Sequence, residues 1–212
     1  MKDAALGFRA HSGWTALVAL SVSKGSPLVL ERQRVHLVEV FTYEFRQPYH
    51  TAEKMPHAEA PAFISRVQTE AKRLAHCAIH GLQRSLQNQG YELSRCGLLL
   101  ASARPLPDLE KILASHALIH TADGELFREA LLHASARCGL PVLSVKEREL
   151  LDRAGQTLRL KPADLARRVT ELGRPLGSPW SQDEKFASLA AWLALAARSK
   201  NTSKEREGFP AA

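Results

Sequence analysis

The chain has 212 residues, 45% of them hydrophobic, which is enough for one sizeable domain with a buried core. Its 29 Lys and Arg against 22 Asp and Glu give a formal charge of +7, permitting an anionic partner without demanding one. Cys77, Cys96 and Cys138 lack CxxC spacing, and no apolar run approaches the roughly 18 residues of a membrane span; a disulfide framework, a thiolate zinc site and a membrane span are therefore excluded, and a reduced, cytoplasmic protein is expected.

Three β-type segments open the chain, at 5–10, 14–23 and 28–39, dense in Val, Leu and Thr. The turn-type connections His11-Ser12-Gly13 and Lys24-Gly25-Ser26-Pro27 predict an antiparallel meander. Residues 43–57, with Pro48 and Pro56, read as an irregular crossover. A long amphipathic helix is predicted over 61–90, burying Phe63, Val67, Ala71, Leu74, Ala78, Leu82 and Leu86 on one stripe. The continuous apolar run from Cys96 to Ala101 reads as a strand covered on both faces. A short helical piece at 108–118 and a clearer helix at 125–137 follow, parted near Gly124. Then come a strand at 141–145, helices at 147–154 and 162–172, a loop, and a last helix at 182–198. A capping box of Ser181 and Glu184 opens that last helix, whose apolar stripe is Phe186, Leu189, Ala190, Leu193 and Ala197. Residues 1–198 are thus expected to form one domain, and the charged segment 199–212 a disordered tail.

The densest cluster of functional side chains is Ser115 to Glu125, where His116, His120, Asp123 and Glu125 could ligate a divalent metal or move protons. Gly124 argues against one shared helix face for the histidines, and capping by Thr121 or Asp123 explains much of the composition. A basic region holds Arg148, Arg153, Arg159, Lys161, Arg167, Arg168 and Arg174, interspersed with Glu147, Glu149, Asp152, Asp164 and Glu171; it is the better candidate for nucleic-acid contact. His76 and His80, with Arg73 and Arg84, fall on the solvent side of the long helix. Trp14, Trp180 and Trp192 read as core or domain-edge residues rather than base platforms. Phosphate-loop, dinucleotide and serine-hydrolase motifs are absent.

The order β-β-β-α-β-α-β-α, with the phrases Leu6-Gly-Phe-Arg-Ala-His-Ser-Gly13, Gly139-Leu-Pro-Val-Leu-Ser-Val145 and Asp183-Glu-Lys-Phe-Ala-Ser-Leu-Ala190, resembles the RNase H-like superfamily, nearest the bacterial Holliday-junction resolvases. The resemblance implies an α/β fold: a mixed sheet of a three-stranded antiparallel meander plus two parallel strands, with flanking helices. It also implies an aspartate ending the first strand, a glutamate ending the fourth, and acids or a histidine on the last helix, holding two divalent ions. Here the first position is Arg9, the fourth strand ends Ala101-Ser102-Ala103, and on the last helix Asp183 matches while Phe186 does not. Asp183 also suits the first turn of a helix, where the macrodipole favours a carboxylate.

If that layout holds, Arg9, His11, Ser12, Ser102, His116, His120, Glu125 and Asp183 are expected around one cleft at the strand ends. Three functions stay open. The first is a non-catalytic module binding nucleic acid or a protein partner. The second is a metal-dependent phosphodiesterase or other hydrolase using His116, His120, Glu125 and Asp183. The third is a structural subunit of a larger assembly. No cofactor is assigned, a divalent metal remains a candidate, and a conventional two-metal nuclease is disfavoured because one matching carboxylate cannot hold two ions.

Overall fold

The structure, a computed structural model, describes residues 1–101 and 105–206, with side chains through 197. Strands β1 (Lys2–His11), β2 (Trp14–Ser23) and β3 (Ser26–His36) form the predicted meander. Its hairpin turns use Gly13 and Gly25 at positive φ, where a side chain would be strained. The crossover is not irregular: it folds into two short helices, α1 (Tyr43–Arg46) and α2 (Pro48–Ala52), with Pro48 at the first helical position, where its missing N–H costs nothing. The long helix α3 (Ala60–Asn88) follows, then β4 (Tyr91–Leu100). After α4 (Leu109–Leu113) and α5 (His116–Arg137) come β5 (Val142–Lys146), α6 (Leu150–Leu158), α7 (Pro162–Glu171) and α8 (Gln182–Arg206).

The sheet order is β3-β2-β1-β4-β5, with β1 antiparallel to β2 and parallel to β4, and β4 parallel to β5. Phe8 pairs with Leu98, so the C-terminal ends of β1 and β4 finish side by side. Alternation along the strands sorts side chains onto two faces. Leu6, Phe8, Leu17 and Leu98 pack beneath α3 and α5, while Ala5, Leu20 and Leu99 pack against α8 and its cover, α6 and α7.

Helix α8 lies unusually close to the sheet. A Cβ built on Gly7 of β1 would stand 1.8 Å from the carbonyl oxygen of Ala187, and one on Gly97 of β4 would stand 2.3 Å from that of Ala190. Glycine on the strands and alanine on the helix therefore set this approach. Because α6 and α7 cover its outer side, α8 is buried all round from Ala187 to Ala194 rather than on the predicted stripe alone; Phe186 and Ala197 are only half-buried. On α3 the stripe is rotated by one position at mid-helix: Ala75 and Ile79 are buried where Leu74 and Ala78 were expected.

Helix α5 runs unbroken through Gly124, correcting the predicted division there. A mid-helix glycine costs roughly 1 kcal/mol, which the burial of Ile119, Ala122, Leu126 and Phe127 outweighs. The predicted cap at Ser181 is present: the Ser181 amide donates to Glu184 Oε2 at 2.8 Å, and the Asp183 amide donates to Ser181 Oγ at 3.1 Å. Helix α8 continues to Arg206, past the predicted boundary at 198; side chains from 198 onward, and all of 207–212, lie outside the described residues.

Candidate functional site

The parity of β1 that turns Leu6 and Phe8 toward α3 and α5 turns Gly7, Arg9 and His11 toward α8. Asp183 stands one helical turn before Ala187, whose carbonyl rests over Gly7, and so it reaches the end of β1. Glu147 follows directly on β5.

The three elements meet at Arg9. Its Nε and Nη2 donate to Glu147 Oε2 and Oε1 at 3.0 and 2.7 Å, a two-pronged pair, and its Nη1 donates to Asp183 Oδ1. His11 Nε2 lies 2.8 Å from the same Asp183 oxygen, and the Phe186 ring covers the guanidinium at 5.3 Å. The hydrogen bonds Arg9 donates to Glu147 hold it even more firmly protonated than usual, outweighing the opposing effect of its part-burial. Glu147 is the functional residue that sequence pattern alone does not single out, since it stands among the acids interspersed with the arginines. The signal available was an acid two residues past the predicted strand at 141–145.

Beside this group, Trp14 is sandwiched. His11 stacks on one face with ring centroids 4.3 Å apart and an interplanar angle of 12°, and the exposed Arg34 lies over the indole at 3.8 Å. Arg46 lies over Phe41 at 4.6 Å, and its Nε donates to the Ser12 carbonyl at 3.4 Å. The C-terminal edge of the sheet therefore carries cations fixed against aromatic rings. Ser102 lies outside the described residues.

The predicted single cleft does not form. His116 and His120 sit on α5, on the face of the sheet opposite α8 and Asp183, and their partner is His50 of α2. His116 Nε2 and His120 Nε2 are 3.1 Å apart, as an unbroken helix allows for residues four apart. His50 is buried, and its Nδ1 lies 2.5 Å from Asp123 Oδ2; the Tyr49 amide donates to Asp123 Oδ1 at 2.7 Å. Asp123 is thus a buried partner of α2, not a helix cap. Burial raises its carboxyl above the usual range, while the hydrogen bonds from Tyr49 and His50 oppose that shift. Glu125 falls outside the cluster, five positions past His120, and pairs with Arg128 at 2.9 Å. His50 escaped the sequence reading because no local spacing connects it to α5.

Of the basic region, Arg148 is exposed at the end of β5, and Arg167 is tied to Asp164 and Glu171 at 3.2 and 3.5 Å. Arg153, Lys161 and Arg174 are exposed, Arg168 is half-buried, and Arg159 caps α6 in the left-handed conformation at φ 55°. Among the described residues none of these five makes an ion pair.

No family model and no curated protein matches the sequence. Solved structures do match. RuvC of Thermus thermophilus in complex with a Holliday junction substrate superposes with a TM-score of 0.54 at 12% identity, over 94% of this chain and 96% of that one. A second structure of Thermus thermophilus RuvC gives 0.53 at 13% identity, over 94% and 97%. The yeast mitochondrial Holliday junction resolvase Ydc2 gives 0.48 at 13%, over 95% and 83%. The chain has the resolvase-like RNase H fold: a mixed sheet of three antiparallel and two parallel strands with flanking helices. Among the described residues no helix is long and apolar enough to cross a membrane.

The residues at the strand ends do not fit the paired divalent ions that the resemblance implies. Such ions need several carboxylates with free lone pairs. Here Glu147 and Asp183 converge on a guanidinium of their own chain, and the described end of β4, Leu100-Ala101, supplies no acid.

Proposed function

We propose that this protein is a non-catalytic RNase H-like module that binds nucleic acid along the C-terminal edge of its sheet. The observation that carries the reading is Arg9: an internal cation pairs with both Glu147 and Asp183, so the edge stays built without divalent ions and presents no free carboxylate pair to a phosphodiester. Arg34, Arg46 and Arg148 border it and provide phosphate contacts. Both faces of Trp14 are covered, which favours backbone contact over base stacking. The relatives in fold include a resolvase captured on its junction, which supports a nucleic-acid partner for this chain as well.

The test is fluorescence anisotropy with duplex, single-stranded and four-way-junction DNA between about 50 and 200 mM salt. Affinity falls steeply with salt, and Arg34→Ala and Arg148→Ala each reduce the log–log slope by roughly 1. No cleavage product forms with magnesium or manganese. Absence of binding at about 50 mM salt would sink the nucleic-acid reading in favour of a protein partner or a structural role; metal-dependent cleavage would sink the non-catalytic one.

A further inference from the structure

We infer that His50, His116 and His120 form a binding site for a zinc-class divalent ion, with Asp123 as the group that orients His50. It lies on the other face of the sheet from Arg9 and uses imidazoles rather than carboxylates, so it is separate from the edge proposed to meet nucleic acid and does not depend on that reading.

One ligand atom from each of the three histidines lies within 4.8 Å of the other two, and among the described residues no other set of three His, Cys, Asp or Glu side chains comes together in this way. Two nitrogens bound to a tetrahedral ion at about 2.0–2.1 Å stand about 3.3 Å apart. His116 Nε2 and His120 Nε2 are separated by 3.1 Å, close to that spacing. The third ligand is held by the fold. Asp123 Oδ2 accepts from His50 Nδ1, which fixes the tautomer and leaves Nε2 with its lone pair as the ligand atom. The other Asp123 oxygen accepts from the Tyr49 amide, so the carboxylate itself is fixed. A carboxylate behind an imidazole is the arrangement that orients metal-bound histidines and raises their basicity.

The donor set decides the class of ion. Three imidazoles suit zinc, cobalt, nickel or copper and give magnesium or calcium nothing they prefer. His50 is buried while His116 and His120 are exposed, so the fourth coordination position opens to solvent. Three protein ligands with an open position is the pattern of zinc sites that exchange ligands or activate water, not of closed structural sites.

The experiment uses the full-length protein, stripped with a chelator and titrated with zinc chloride alone against a chromophoric competitor. One equivalent binds with a dissociation constant in the micromolar range or tighter, and cobalt(II) in its place gives the intense visible absorption of a four-coordinate ion. His116→Ala and His120→Ala, at exposed rings, each weaken binding by about 100-fold or more, with the circular dichroism of the metal-free protein unchanged. Asp123→Asn weakens it about 10- to 100-fold. His76→Ala, in the separate histidine pair of α3, leaves it unchanged. Zinc binding weaker than about 100 μM in the unaltered protein, or undiminished binding in both His116→Ala and His120→Ala, would overturn the site and leave a hydrogen-bonded histidine cluster in its place.

Discussion

Arg9 is one side chain answering two carboxylates, and that imbalance can be measured. Arg9→Met leaves Glu147 and Asp183 facing each other without their shared cation. Removing one partner of a fully buried ion pair costs about 3–5 kcal/mol, and of a surface pair about 0–1. Arg9 is 20% exposed, Glu147 38% and Asp183 23%, so the expected loss is intermediate, about 1–3 kcal/mol by urea denaturation. Adding Glu147→Gln and Asp183→Asn to Arg9→Met restores most of that loss, because no uncompensated charge then remains. A single variant as stable as the parent would show that the group contributes no net stability. The presence of Arg9 in this position was legible from the sequence, since a cation stood where the resemblance called for an aspartate. Its partner Glu147 was not, because an acid just past a strand does not by itself name a partner 138 residues away.

Among the elements, the seating of α8 has the sharpest consequence. Gly7→Ala or Gly97→Ala places a methyl group into the α8 backbone, where no side-chain rotation relieves the clash, and each is expected to destabilise by about 3 kcal/mol or more. Gly81→Ala is the counter-case. Gly81 is exposed on α3 with open space around it, so alanine there raises stability by up to about 1 kcal/mol. Thermal unfolding of the three variants checks both signs. The same elements show where sequence reading works. The meander, α3, β4, β5 and the cap of α8 carry local periodicity or turn chemistry, and all were legible. What failed was non-local: α8 is buried all round because distant helices cover it, α5 overrides Gly124 through its packing, and α2 is a helix only one and a half turns long. The histidine cluster was half legible, since His116 and His120 were in view while His50 arrives from the segment read as irregular.

At the scale of the molecule, the three thiols sample three depths of one structure. Cys77 is exposed, Cys138 is half-buried with its thiol raised by burial, and Cys96 is buried in the central strand with its thiol pushed up to about 12 by desolvation. A thiol-reactive chromogenic reagent is therefore expected to modify Cys77 quickly, Cys138 slowly, and Cys96 only at the rate of global unfolding, with three equivalents released in denaturant. Modification of Cys96 as fast as Cys138 would show that the α3 and α5 layer lifts from the sheet without unfolding the rest. The Arg9 group adds a different property to the whole. A counter-ion attached to the chain has no dissociation constant: it cannot be chelated, competed away or diluted out, so the charge balance at the strand ends is the same whether the surroundings hold abundant divalent ions or none.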